Sequence, residues 1–415
     1  MRPNITLQQV ILILVGSMFA LPIVPRGVRP ALIGLLLLVV LLQFFREGST
    51  RVKWSQIILP SSLFILYLIS ISYSTNVAYG LKKVVTALPM LIYPLIFNLL
   101  SDEIKAKLYN NIIKFCWIFI ISTALFCLLS FIYFLNEFDF DGVVLHYINI
   151  IRTDISGYKI HPIYLSMHIG ISLLLSILII EKSKHNLWQL IVLGLINLFL
   201  LSFMLMLIRK GPIIGLVLAS GYLTLILKKR WLFALYGFSV IMVIGLIVFD
   251  PKVNDRFSEL LSVQNSQKLN DETNSTNIRY HIYKCAVTKI PEAGLFGFGI
   301  GDGKDELTSC YDDNMQILSS KRYNSHNQYI GIILKGGYLG LLLFVIFLAV
   351  FITQSIRSKN YILTAIMIFY SIVMFSENIL ERGNGIKFFY LFIIFFGLFN
   401  HKRLFTKDEK PFKEA

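Results

Sequence analysis

The chain has 415 residues, of which 56% are hydrophobic and only 15% charged, against about 25% charged residues in an ordinary soluble domain. Its 39 Lys and Arg outweigh 24 Asp and Glu for a formal net charge of +15, and the mean hydropathy is +0.68. These figures exclude a soluble multidomain protein, a disordered or collagen-like chain and, with four Cys, a disulfide-built scaffold. The basic excess does not by itself point to nucleic acid, because in a membrane protein it can be a topology bias.

A span needs about 20 mostly apolar residues. Twelve segments qualify, near 7–24, 29–45, 56–73, 81–100, 111–135, 162–180, 188–208, 211–227, 231–249, 327–352, 360–378 and 385–400. The predicted class is therefore an all-α polytopic membrane protein with about 12 transmembrane helices. The first segment resembles a signal peptide in length. However, Arg2 is its only early positive charge and the region around Ala20 makes a poor cleavage site, so it reads as a retained span. Short connectors join the first two spans and the spans across 188–249, predicting tight helical hairpins.

An even number of spans puts both termini on one side. With that side cytoplasmic, the inner segments hold 19 basic and 7 acidic residues, and the outer segments 19 basic and 17 acidic. The excess of Lys and Arg near inner span ends predicts cytoplasmic termini. It also places the long segment 250–325 in the periplasm, with a shorter outer segment over 136–161. The chain thus divides into an N-terminal membrane bundle (1–249), a periplasmic loop (250–325), and C-terminal spans with a cytoplasmic tail (326–415).

Within the long loop, Asn265 to Asn277 is polar and without apolar anchors, which predicts a mobile stretch. From Ile278 to Pro291, Ile278, Tyr280, Ile282, Tyr283, Ala286 and Val287 recur at helical spacing. They predict an amphipathic helix suited to a membrane surface. Gly294 to Gly303 follows as a glycine-dense turn. It lacks the Lys-Ser/Thr ending of a P-loop and no strand precedes it. It reads as backbone packed closely on another element, with an anion site of backbone amides as the alternative.

Polar groups at the outer ends of spans are the candidate chemistry. Arg209 and Lys210 form a whole interhelical connector, Arg279 opens the amphipathic helix, and His326 begins the tenth span. Each has an ordinary explanation: snorkelling to headgroups, a solvated helix face, a polar cap. Together, two guanidiniums on one side can clamp a pyrophosphate through forked hydrogen bonds, and a nearby His can accept a proton near neutral pH. Lys335 lies nine residues beyond His326, about 14 Å deeper at helical rise, as either a structural ion pair or part of the site. Glu377, Glu381 and Arg382 form a cluster near the last outer turn, either a solvated loop or part of the site. His161 at the mouth of the sixth span can wall a site, whereas His168 reads as a buried, hydrogen-bonded residue. No Cys or carboxylate stands at metal-ligand spacing beside them, so no metal or cofactor is expected. Cys285 and Cys310 share the outer segment, where an oxidising compartment would permit a disulfide; sequence does not show whether they meet.

The order of these features resembles the O-antigen ligase and O-antigen polymerase superfamily. Arg209 precedes a hydrophobic hairpin and a long outer loop; Asn277-Ile-Arg-Tyr-His-Ile-Tyr-Lys284 follows; Pro291 to Gly303 makes a Gly-rich turn; Ser325-His-Asn-Gln-Tyr329 and Lys335-Gly-Gly-Tyr-Leu-Gly340 begin a span. The resemblance covers about 190–345, with weaker matches at His161-Pro-Ile-Tyr164 and Glu377 to Arg382. It implies a metal-independent, inverting glycosyltransferase of the bacterial inner membrane. The implied donor is an undecaprenyl-pyrophosphate-linked glycan and the implied acceptor lipid A-core or another glycan, with the site on the periplasmic face. It further implies that Arg209 and Arg279 bind the pyrophosphate and that His326 activates the acceptor hydroxyl, with Lys210, His161, Lys335 and Arg382 in secondary roles. The chain departs from the commonest family pattern at Lys210, where a small residue is frequent, and at Lys335, where many relatives carry an acid.

The competing class is a transporter or lipid-linked-sugar flippase. Transporters often show related halves. Here the 76-residue outer insert falls only in the second half and no repeat of the first half is visible. Within the transferase class the same clamp and base serve a ligase or a polymerase; the expected activity is O-antigen ligase, with the polymerase as alternative. The partners expected are thus the two glycan substrates and the bilayer, and no nucleic acid.

Overall fold

The computed structural model describes residues 6–47, 52–153, 158, 160–182, 187–249, 251–258, 275–311 and 316–399. All regular structure among them is helical. In chain order the helices are α1 (Leu7–Phe19), α2 (Val28–Glu47), α3 (Ser55–Ser70), α4 (Val77–Ala87), α5 (Pro89–Leu99), α6 (Asp102–Asn110) and α7 (Ile112–Leu135). There follow α8 (Phe140–Ile150), α9 (Pro162–Lys182), α10 (Leu187–Leu207), α11 (Lys210–Leu227), α12 (Arg230–Phe249) and α13 (Pro251–Ser258). The last are α14 (Ser275–Ala293), α15 (Gly303–Ser309), α16 (Gln316–Lys321), α17 (Gln328–Arg357), α18 (Tyr361–Met374) and α19 (Gly383–Gly397).

Eight segments are long and apolar enough to cross a bilayer: Val28–Glu47, Ser55–Tyr73, Val77–Leu99, Ile112–Leu135, Pro162–Lys182, Leu187–Leu207, Lys210–Leu227 and Gln328–Arg357. Four shorter apolar helices, Leu7–Phe19, Arg230–Gly245, Tyr361–Met374 and Gly383–Gly397, fall on the other expected spans. The chain is an all-α polytopic membrane protein. Part of the polar stretch expected over 265–277 lies outside the described residues; from Ser275 onward it is helix. The basic tail beyond residue 399 lies outside them too.

The shortness of α18 and α19 has a structural meaning. At 14 and 15 residues each is about 21–23 Å long, against about 30 Å of hydrocarbon. The non-helical stretch between them is drawn into the bundle: Asn378, Ile379 and Leu380 are buried, as is Glu377 at 5% exposure. Irregular backbone at that depth is tolerated only where protein satisfies it. Here Gln328 Oε1 accepts the Leu380 amide (2.6 Å) and Asn378 Nδ2 donates to Ser325 Oγ (2.9 Å).

Aromatic packing fixes the bundle behind this stretch. Phe19 of α1 meets Phe395 of α19 edge-on at 4.9 Å, and Phe119 of α7 meets Phe392 at 4.9 Å. Such pairs are worth about 0.5–1.5 kcal/mol beyond area burial. His168 of α9 is buried within this layer, its ring 4.0 Å from that of Phe388, and its Nδ1 has no hydrogen-bond partner. The hydrogen bond expected from the sequence is thus replaced at that nitrogen by ring packing.

α17 is broken at Gly337, whose φ of +64° and ψ of −165° suit glycine. The glycine-dense turn fills the break. Phe298 N donates to Leu334 O (2.9 Å) and Gly299 N to Lys335 O (3.1 Å), while Gly294 O and Leu295 O accept from Tyr338 N (3.1 Å) and Leu339 N (3.0 Å). A Cβ on Gly297 would stand 2.5 Å from Gly337 N, so only backbone fits. The far side of the turn is tied to the end of α3. Ile300 N donates to Ser70 Oγ (3.0 Å), and the Asp302 carboxylate accepts the amides of Thr75 (2.6 Å) and Asn76 (2.8 Å). Close backbone packing is therefore what the run of glycines serves.

Candidate active site

α14 runs through Pro291 to Ala293, beyond the expected end, because the proline falls in its last turn. Its inner face is Ile278, Ile282, Cys285 and Ala286, packed on Leu307, Tyr311, Leu318 and Leu334 as a small second core. Tyr280 and Val287, expected on that face, are exposed instead, at 37% and 66%. Cys285 and Cys310 form a disulfide, with Cα atoms 5.7 Å apart, joining α14 to the end of α15. These contacts settle α14 against α15 and α17 and fix the position of Arg279 in its second turn.

Two of the three residues expected at the site, Arg279 and His326, meet one turn, Phe375 to Glu377, at the end of α18, and the connector that carries Arg209 packs on the same turn through Gly211. Arg279 Nη2 donates to Ser376 O (3.4 Å), and Tyr283 OH, one helical turn on, donates to Phe375 O (3.2 Å). Gly211, two residues after Arg209, packs so tightly on Ser376 that a Cβ there would overlap the Ser376 hydroxyl. His326 Nδ1 lies 3.5 Å from Glu377 Oε2. Arg209, Arg279 and His326 are each half-buried, so their charged or polar ends can meet a ligand without being fully solvated.

Local sequence explains how each is presented. Arg209 is the N-cap of α11 with extended backbone, after Ile208 at φ +40°. Lys210 turns toward α14, where its Nζ donates to Thr276 Oγ1 (3.3 Å). Lys210 thus joins the connector to the helix that carries Arg279. His326 is held by its neighbours. Asn327 caps α17 by accepting the Tyr329 and Ile330 amides (3.0 and 3.2 Å), Ser325 Oγ donates to Asn327 O (2.9 Å), and Asn324 Oδ1 accepts the His326 amide (3.3 Å). The outcome is a His at φ +43°, a conformation that side chains rarely adopt without such support and that recurs at functional sites.

Electrostatics separates the acids from a solvated loop. Glu377 is buried, faces His326 Nδ1 and has His161 and Arg382 within electrostatic reach. Glu381 is held below the usual carboxylate range: burial opposes this, and Lys335 and Lys83 outweigh it. Lys335 forms an ion pair with Glu381, and Asn378 Nδ2 donates to the same oxygen (2.8 Å). Lys335 is therefore a structural ion pair, one layer behind His326. His161 is depressed to about 3, mainly by burial, which Glu377 partly offsets and Arg209, Arg382 and Arg152 reinforce. Its Nδ1 accepts the Ile163 amide (3.5 Å), which keeps that nitrogen unprotonated. His161 therefore walls the site as a neutral group. Arg382 is exposed, caps α19 and lies within electrostatic reach of both Glu377 and His161.

Sequence reasoning marked Glu377 but missed Phe375 and Ser376, whose carbonyls take the Tyr283 and Arg279 hydrogen bonds, and the buried Asn378. None of these carries a motif, and their contacts come from distant segments. Among the described residues no group of three or more His, Cys, Asp or Glu is placed to hold a metal ion.

Comparison with known proteins bears on the same residues. A family model described as O-antigen ligase matches residues 195–345, a segment that includes Arg209, Arg279 and His326 but not His161, Glu377, Glu381 or Arg382. No curated protein matches the chain. Over residues 195–345 this all-helical membrane protein is thus similar to the O-antigen ligase family.

Proposed function

We propose that the chain is an inverting glycosyltransferase that moves an undecaprenyl-pyrophosphate-linked O-antigen or related glycan onto an acceptor hydroxyl, with lipid A-core as the acceptor. The observation that carries this reading is that Arg279 and the His326–Glu377 pair meet on the turn 375–377, on which Gly211, two residues after Arg209, also packs. The acceptor oxygen attacks the anomeric carbon, the bond from that carbon to the pyrophosphate oxygen breaks, and the acceptor proton passes to His326. Negative charge grows on the leaving pyrophosphate as that bond breaks. Two preset guanidiniums stabilise that state more than the ground state. Glu377 faces His326 Nδ1, which leaves Nε2 for the acceptor and stabilises the imidazolium as it forms. No metal is assigned a role.

The site faces the periplasm in this reading. The Cys285–Cys310 disulfide supports that side, because such bonds persist in oxidising compartments. The excess of Lys and Arg on the opposite side supports cytoplasmic termini.

The test is complementation of a deletion strain. Arg209→Ala, Arg279→Ala and His326→Ala are each expected to abolish surface glycan while the protein stays in the membrane. Near-normal display by all three would overturn the assignment. The deletion strain itself separates the two activities on a gel. Free core with accumulated lipid-linked polymer supports the ligase, whereas core capped with a single repeat shows a polymerase.

A further inference from the structure

A second cluster of positive charge lies where α2 and α19 begin. Arg29, in the first turn of α2, is 2% exposed. Its Nε donates to Val24 O (2.9 Å) and its Nη1 to Asn384 Oδ1 (2.8 Å). Both acceptors are neutral. Arg26 and Lys387 stand within electrostatic reach of Arg29. Lys387 folds its amine back over the N-terminus of α19, 3.8 Å from where a Cβ on Gly383 would stand. Among the described residues none of these three cations forms an ion pair with a carboxylate.

The arrangement runs against ordinary electrostatics three times. Among the described residues no counter-charge meets this buried guanidinium, which is costly. Like charges crowd it. Two helices, α2 and α19, begin here, so their unpaired amides and positive dipole ends add to the same sign, where anions and not cations are favoured. Snorkelling to solvent does not account for Arg29, because it is buried. One anion would answer all three. A phosphate oxygen suits a guanidinium fork flanked by an ammonium and helix-end amides. The cluster also continues the active site: Arg382 precedes α19 directly and lies within reach of Glu377 and His161.

We propose that Arg29, Arg26 and Lys387 form a second phosphate-binding site, distinct from Arg209 and Arg279, for a phosphate mono- or diester borne by a lipid. Resting on the transferase reading above, this is the phosphate of the acceptor lipid, held while the donor pyrophosphate occupies the arginine pair.

Binding is tested on the full-length protein in phosphatidylcholine nanodiscs, in an Arg209→Ala/Arg279→Ala background that silences the first site. Thermal stability is followed on addition of phosphatidic acid and, separately, of inorganic phosphate. Phosphatidic acid is expected to stabilise the protein saturably, with affinity at least ten-fold weaker when Arg26→Gln and Lys387→Gln are added. Arg29 is left intact because its two bonds hold the α1–α2 connector to α19. Equal stabilisation by inorganic phosphate supports the site with the bare anion as its determinant; stabilisation by phosphatidic acid alone supports it with a lipid-borne phosphate. No saturable effect, or the same affinity in both proteins, overturns the site. Glycan transfer by the otherwise wild-type chain is scored in parallel. Binding as expected with no transfer would refute the transferase reading and leave the site standing, and normal transfer with unchanged binding would do the reverse.

Discussion

Glu377→Gln removes one negative charge from behind His326 while keeping the shape of the side chain. Glu377 is 5% exposed and its Oε2 lies 3.5 Å from His326 Nδ1. Two unit charges at that distance interact by about 5 kcal/mol at an effective dielectric of 20. Half-exposure of His326 lets water compete, and interactions of this kind with a charged partner are worth about 1.5–3 kcal/mol net. In the proposed mechanism the imidazolium forms as the acceptor proton is taken, so the loss falls on the transition state. The variant is expected to lower kcat by about 10–150-fold with little change in KM for the donor, whose pyrophosphate is assigned to Arg209 and Arg279 in the proposed function. The assay is transfer from purified lipid-linked donor at saturating acceptor, with thermal stability measured beside it. A kcat within two-fold of the wild type in a stable protein would refute the pairing of Glu377 with His326 in catalysis.

The glycine turn offers a matched pair. Gly294 and Gly297 both have positive φ (+58° and +76°), but a Cβ on Gly294 meets nothing within 4 Å and one on Gly297 meets the α17 backbone at 2.5 Å. Gly294→Ala is expected to cost about 1–2 kcal/mol, and Gly297→Ala about 1–3 kcal/mol more through overpacking, read as a further fall in Tm; equal losses would refute the bridging role of the turn. His161 is depressed from 6.5 to about 3, so below 6.5 the unfolded chain binds a proton that the folded one does not. Stability is therefore expected to fall as pH drops from about 6.5 toward 3, and His161→Gln to remove that part of the slope in Tm against pH; an unchanged slope would contradict it. The Cys285–Cys310 bond closes a separation of 25 residues, worth about 3.5 kcal/mol in the chain-entropy account. Cys285→Ser/Cys310→Ser is expected to lower the Tm of the purified protein and weaken glycan transfer through Arg279, and an unaltered Tm would count against it.

Hydropathy made the helical spans legible because crossing a bilayer is a property of consecutive residues. Each of the twelve expected segments contains an apolar helix, although α1, α18 and α19 are shorter than a helix that crosses a bilayer alone. The candidate site was legible to the extent that Arg209, Arg279 and His326 end or begin helices. It was illegible where a partner comes from a distant segment. Glu377 and Glu381 read as an acidic pair by a turn, and only folding assigns one to His326 and the other to Lys335. Arg29 drew no notice in the sequence because its neighbour Asn384 lies at the other end of the chain. The inner face of α14 was only partly read: helical spacing marks a face, but whether Val287 or Cys285 turns inward depends on what lies beneath.

The break in α17 has a consequence for biogenesis. Its carbonyls at Leu334 and Lys335 and its amides at Tyr338 and Leu339 are satisfied by Gly294, Leu295, Phe298 and Gly299 of the glycine turn. In hydrocarbon each orphan group costs several kcal/mol, so this span cannot stand alone in lipid as an ordinary helix does. Its stable insertion waits for the preceding loop to settle against α3. Synthesis delivers α3 first, the loop next and α17 last, so the partner precedes the segment that depends on it. A ribosome that stalls before residue 294 would leave the early spans competent and the catalytic half unbuilt.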